Sequence, residues 1–437
     1  MHQILPPPRR RTVLAGLAVI TASTTLARAQ SALDAAAHGV TGDTGEDQSQ
    51  SLQDAIDQAA RAGQILRLPP GVIIAQGLVL PGNLMIEGVP GRTNVQSGGD
   101  VIARASGISG LVLRDVIFSG GTVSDIEALL SIAASDAVTL ERCAFSSAPV
   151  SALIISDSAA TIRDCTFADI GDAAIHALDS GGLLITGNRI QNCGNAGIRI
   201  WRSENGADGS IVTANRIARI DWRGGGNGQN GNGINVFKAD EVIVADNHIA
   251  DCAFTAIRLN STNNTQVSGN TCLRSGEVAI FSEFAFSGSI ISGNIVDTAA
   301  TGISMTNLDS DGQLAVCSGN IVRNITSSSA VNPDTIPIGI FAEAEAAITG
   351  NTIQNVPGTA LMAGYGTFLR NVLIAGNVVS DSDIGVGVSV VDGAGAVTIA
   401  NNAIQARQHA IVGLAWTDIV ETDLAARADR YPNVTLN

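Results

Sequence analysis

The sequence predicts one all-β fold, a right-handed parallel β-helix with three short strands per rung, about twelve rungs and a capping helix at the N-terminal end. Three observations predict it. A turn motif returns about every two dozen residues, as in Leu184-Ile-Thr-Gly-Asn188, Val267-Ser-Gly-Asn270, Ile291-Ser-Gly-Asn294, Ile348-Thr-Gly-Asn351 and Ile374-Ala-Gly-Asn377; such a period is the signature of a solenoid. Between the turns run short alternating apolar stretches, the pattern of strands rather than helices. Glycine is frequent, at 48 residues, while aromatics are only 3%, which suits repeated tight turns better than a core packed round large rings.

The chain opens on Arg9-Arg10-Arg11-Thr12-Val13-Leu14, an apolar stretch to Leu26, and Ala27-Arg28-Ala29. Paired arginines (Arg10 and Arg11), a mild apolar run and a small-x-small site read as a twin-arginine export signal over residues 1–29. The run is too short to span a bilayer. The expectation is a periplasmic or secreted protein that meets the twin-arginine export machinery and keeps no membrane span after cleavage. Cleavage removes four arginines and no acid, taking the formal charge of −15 to −19. That balance argues against general nucleic-acid binding, which needs a basic face.

Residues 30–64 read as a first strand and the capping helix, 65–416 as the solenoid and 417–437 as a cap at its other end. Over 48–62, Leu52, Ala55, Ile56 and Ala59 form one apolar helical stripe, and Gly63 fits a C-cap. A repeat stack requires such caps.

In the solenoid one marker position is held by Cys143 and Cys165, then by Asn188, Asn215, Asn247, Asn270, Asn294, Asn320, Asn351, Asn377 and Asn402. Asparagine tolerates a left-handed corner, and stacked amides can hydrogen-bond along a column. The column therefore reads as a structural ladder. Cys193, Cys252, Cys272 and Cys317 fall where other rungs place Ile or Val, as small buried hydrophobes. A bridge between Cys143 and Cys165, on adjacent rungs, stays open.

Residues Asp34-Ala-Ala-Ala-His-Gly39-Val-Thr-Gly-Asp43, Ser51-Leu-Gln-Asp-Ala-Ile56 and Ile65-Leu-Arg-Leu-Pro69-Pro-Gly71 resemble the opening of the pectate-lyase-like superfamily of β-helices, which includes polygalacturonase-like and tailspike-type proteins. The export segment followed by repeats also resembles a family of twin-arginine-translocated β-helix repeat proteins of unknown function. The resemblance spans nearly the whole chain and implies fold and export. It implies little about activity, because β-helices host lyases, hydrolases, epimerases and non-enzymes alike. The polygalacturonase catalytic motif is missing, which leaves hydrolysis by that aspartate cluster unsupported.

The distance from marker to next strand is 9 or 10 residues except after Asn215 and Asn320, where it is 19 and 20. Both insertions, 221–233 and 326–337, therefore sit at one corner, roughly 19 Å apart. Loops lengthened on one face of a repeat protein usually border its binding surface. They are expected to bracket a groove floored by the outward residues of the following strand. Arg199, Trp201, Asn235, Phe237, Asn260 and Phe281, with Trp222 of the first insertion, are the expected substrate-binding residues, since aromatic faces stack sugars and guanidinium forks bind carboxylates. His176, Lys238 (the only lysine), Arg258 and Glu283 are the catalytic candidates, able to supply a base and a cation for proton abstraction beside a uronate carboxylate. On this expectation alanine at Arg199 and Arg258 abolishes glycan binding and leaves the thermal midpoint nearly unchanged. If Glu283 pairs with an arginine, the strip is instead an ion-pair network.

The function expected is thus binding, and in one version lyase- or epimerase-type modification, of an anionic polysaccharide. The alternatives are a non-catalytic envelope β-helix and a cofactor-carrying exported protein. The last is weakest, because His and Met are scarce and the cysteines sit in core columns; whether a cofactor is bound stays open. No metal site is expected: Asn307-Leu-Asp309-Ser-Asp311-Gly312 has acid spacing but lacks the remaining ligands of a calcium loop, and His248 reads as structural.

Overall fold

The structure, a computed structural model, describes residues 31–121, 126–226, 228–306 and 312–437. The expected export signal with Arg10 and Arg11, and residues 307–311 of the acid-spaced turn, lie outside them. The chain winds as a parallel β-solenoid with three faces. Sixteen parallel strands line the first face, from Ala32–Asp34 and Ile65–Arg67 to Val397–Ala400 and Val434–Leu436. In the rung around Asn188, Leu184–Thr186 belongs to the first face, Arg189–Cys193 to the second and Ala196–Ala207 to the third. Each strand pairs in register with its equivalent one rung on.

Inside the coil, equal side chains stack. Ile162, Ile185, Val212, Val244, Val267, Ile291, Cys317, Ile348, Ile374 and Ile399 form one continuous buried column. Burying each such side chain contributes about 1.5–3 kcal/mol. Cys317 fits because a thiol packs as a small hydrophobe, and Cys193 and Cys252 alternate with Ile170 and Ile220 in the same way. All six cysteines are free and buried. Phe118, Phe145 and Phe167 stack at 5.2 and 4.8 Å between centroids.

The marker asparagines lie at the corner between the first and second faces, pointing inward. Each Oδ1 accepts from the backbone N–H and the Nδ2 of the preceding asparagine, at 2.9–3.0 Å, from the Asn188–Asn215 pair to the Asn377–Asn402 pair. The second Nδ2 hydrogen goes to a first-face carbonyl, as from Asn188 to Ile162 O at 2.9 Å. The left-handed residue expected at the marker is displaced by one. It is Gly187, Ala214, Asp246, Gly269, Gly293, Gly319, Gly350, Gly376 or Asn401 that has positive φ. The asparagine follows it and turns its amide into the coil.

At the N-terminal end, α1 (Ser49–Ala62) buries Leu52, Ala55, Ile56 and Ala59 and stops at Gly63, whose φ is 61°. At the far end Asp418–Glu421 turns back antiparallel on Ala403–Ala415, and Leu424 inserts into the core.

Candidate functional site

The third face carries the outward column His176, Arg199, Asn235, Arg258, Phe281, Ser304 and Phe341 in register. Beside it runs a second column of Trp201, Phe237, Asn260 and Glu283. The core-facing alternates are isoleucines and valines such as Ile198, Ile200, Ile234 and Val236, so pleat alternation puts these polar and aromatic groups outside. They are nevertheless not open. Arg199, Asn235, Arg258 and Glu283 are 3–6% exposed.

The first insertion is the cause. Rather than standing as a wall, it folds down over the strip. Asn230 Oδ1 accepts from Arg199 Nη2 at 2.9 Å, and the Gln229 carbonyl accepts from Asn235 Nδ2 at 3.3 Å. Gly228, at φ 126°, lies so close above Arg258 that a Cβ there would collide with its guanidinium. The second insertion leans back onto an intervening rung. Ser329 Oγ donates to the Gly276 carbonyl at 2.6 Å, and Asn332 Nδ2 donates to Glu277 Oε1 at 2.8 Å.

Beneath this roof the two arginines have met carboxylates. Arg199 forks onto Asp172 at 2.7 and 2.9 Å. Arg258 forks onto Glu283 at 2.6 and 2.8 Å and reaches Glu277 at 3.2 Å. The strip is therefore an ion-pair network, and a buried one. Arg199 and Arg258 thus do not stand free for a substrate carboxylate, as was expected of them, and alanine at either would leave a buried charge alone, which is costly. Burial raises the Glu283 carboxyl above its ordinary value, Arg258 opposes the rise and the Glu277 charge adds to it. Burial also acts on Asp172, but the hydrogen bonds and charge of Arg199 outweigh it and hold the carboxyl low. Burial, then the Arg199 charge, lowers the His176 imidazole.

What remains accessible is a pocket of about 320 Å³ lined by Trp201, Gly228, Gln229, Asn235, Phe237, Arg258, Asn260 and Phe284. The Trp201 indole N–H has no partner among the described residues, and its ring lies T-shaped to Phe237, centroids 6.2 Å apart. Lys238 stands at the rim, its Nζ 5.4 Å from the Phe237 centroid and donating to the Ser203 carbonyl at 2.9 Å. No ion pair engages it among the described residues.

Six expected residues do not line the pocket: Arg199, Lys238 and Glu283, placed above, and His176, Phe281 and Trp222. His176 sits edge-on to Trp201, centroids 5.3 Å apart. Phe281 lies under the Arg258 guanidinium, at 5.1 Å. Trp222 packs on Phe254, and its indole closes the first insertion on the Gly226 carbonyl. The insertions do border an open trough, of about 810 Å³, but its floor is the corner of the second face, with Ile220, Cys252, Ser275 and Gly276 flanked by Arg219, Asp251 and Arg274. Asp172, Glu277 and Phe284 were not expected. Counting seven residues on from the marker reaches Asp172 from Cys165 and Glu277 from Asn270, the one signal that could have found those two.

Residues 106–228 and 151–314 match the family model described as a right handed beta helix region. The chain is a right-handed parallel β-helix. No curated protein sequence matches it. Among solved structures the β-helix is similar to a PL6 alginate lyase in complex with a trisaccharide, with a TM-score of 0.54 and 12% identity, over 93% of this chain and 96% of that one. It is similar to tailspike protein 3 of bacteriophage CBA120, with a TM-score of 0.53 and 12% identity, over 93% of this chain. It spans 61% of that tailspike's length. The A-module of a mannuronan C-5 epimerase from Azotobacter vinelandii matches with a TM-score of 0.42 and 16% identity, over 92% and 99% of the two chains. At these identities the likeness is one of fold.

Proposed function

We propose that this β-helix is an exported glycan-binding protein, and that its third face seats a sugar of an anionic polysaccharide. One observation carries the reading: Trp201, Phe237 and Phe284, and the amide residues Gln229, Asn235 and Asn260, border one pocket. Aromatic faces take the apolar side of a sugar ring, and amides take its hydroxyls. Lys238 at the rim is the cation for a carboxylate, in place of the arginines.

The reading is of binding rather than turnover. Of the groups suited to proton abstraction, Arg258 and Glu283 hold each other and His176 does not line the pocket. The resemblance of the first 29 residues to an export signal supplies the compartment.

Incubating the full chain with a panel of uronate-containing and neutral polysaccharides, by calorimetry and by assay for unsaturated products, tests it. Binding without product, weakened roughly tenfold or more in Trp201→Ala, is the expected result. Affinity unchanged in Trp201→Ala sinks the pocket, and unsaturated product sinks the restriction to binding.

A further inference from the structure

On the third face both arginines with buried guanidinium groups have met acids. The second face differs. Arg189, Arg216 and His248 stand in register on three consecutive rungs, all exposed, and none makes an ion pair or side-chain hydrogen bond among the described residues. Elsewhere on the solenoid surface Arg274 holds Asp251, Arg323 holds Asp297 and Arg163 reaches Glu141.

Among the described residues no acid is paired with the column. Across the ladder corner the same rungs show Leu184, Ile211 and Ile243 outward, and the corner acids Asp164 and Asp246 form no ion pair with the column. At the opposite edge Asp169 accepts from Asn192 and Asp251 is occupied by Arg274. Arg219 adds another guanidinium there, bonded to Asn192 and Gln191.

Like charges on neighbouring strands, roughly 4.8 Å apart, repel one another. In a chain of charge −15, two unpaired guanidinium groups side by side, Arg189 and Arg216, set up a local positive field. The spacing is of the order of one sugar residue, and a guanidinium fork matches a carboxylate. We propose that the Arg189–Arg216–His248 column binds the carboxylates of a polyuronate chain lying along the solenoid axis. This rests on the glycan reading for the class of partner but not for the place, since the column and the Trp201 pocket are on different faces.

Titration of the full chain with polygalacturonate at rising salt, with dextran as the uncharged control, tests it. Affinity for polygalacturonate should fall steeply with salt. The double variant Arg189→Gln/Arg216→Gln should lose roughly tenfold or more in that affinity, with Tm unchanged or raised because a repulsion is removed, and with dextran binding unaltered. Trp201→Ala should keep the salt-dependent component. Polygalacturonate affinity that survives the double variant, or is absent from the unaltered chain, overturns the inference; in the first case the pocket still stands or falls by its own Trp201 test. A lowered Tm in the double variant also overturns it, by assigning the column a structural role. So does preferential binding to anionic phospholipid vesicles that the double variant loses.

Discussion

Arg258 Nη1 stands 3.2 Å from Glu277 Oε2, and each residue is held by a different insertion: Gly228 closes over Arg258, and Asn332 binds the other oxygen of Glu277. One buried ion pair thus ties together two loops that leave the solenoid four rungs apart. With Glu283 the cluster carries one cation and two carboxylates, and its members are 3–6% exposed.

Arg258→Ala should therefore destabilise the protein by about 3–5 kcal/mol at neutral pH, the cost of leaving buried carboxylates unpaired. The triple change Arg258→Met/Glu277→Gln/Glu283→Gln should cost much less. Urea unfolding measures both. A loss under about 1 kcal/mol for Arg258→Ala would show that water reaches the cluster freely.

Acid should act on the neighbouring pair. The Asp172 carboxyl lies below its ordinary 3.8 in the folded chain because Arg199 holds it. A lowered folded value means stability that is present above 3.8 and lost as pH falls toward the folded value. Thermal midpoints taken down through this range should fall less steeply for Asp172→Asn than for the unaltered chain. Glu283, raised by burial, works in the opposite sense: it favours the folded state below the ordinary carboxylate range and weakens it as pH rises through the folded value. Glu283→Gln should flatten that second slope.

Within the ladder, position should decide the cost. Asn270→Leu removes the acceptor for Asn247 and the donors to Val244 O and Asn294 Oδ1, and each buried group left unsatisfied costs about 1–3 kcal/mol. Asn402 ends the column and keeps only Asn377 and Ile374 as partners. Asn402→Leu should lower the thermal midpoint distinctly less than Asn270→Leu. Equal losses would mean that the amides do not act as a column.

Thiol chemistry offers a fourth check. Burial pushes the Cys193 and Cys272 thiols up to about 12, and a thiol that stays protonated and inaccessible is inert. A thiol reagent at mildly alkaline pH should find none reactive in the folded chain and six after unfolding. Four after unfolding would indicate a Cys143–Cys165 bridge.

The repeat, the ladder and the capping stripe could be read from the sequence because each depends on residues a fixed step apart in the chain. Leu52, Ala55, Ile56 and Ala59 need only helical spacing, and Asn188 to Asn402 need only the rung period. The carboxylate partners were harder. Asp172 lies 27 residues from Arg199 and Glu283 lies 25 from Arg258, so pairing depends on which side of a strand each occupies one rung away. The direction of the first insertion was not legible at all. Its Gly228 and Asn230 lie over Arg258 and Arg199 through tertiary contacts that no local pattern encodes, and for that reason a wall was expected where a roof stands.

The amide bonds of the ladder are alike at every step, 2.9–3.0 Å, although the chain between successive asparagines varies from 23 residues, between Asn247 and Asn270, to 32, between Asn215 and Asn247. At the ladder corner no rung is therefore matched to one particular neighbour. Excising the segment from one asparagine to the next rejoins surfaces of the same kind, whereas removing half a rung would bring a mismatched corner against the amide row. Length in this molecule is thus an adjustable quantity away from the cluster that holds the two insertions: there, whole rungs can be gained or lost by duplication and deletion while the ends keep their form.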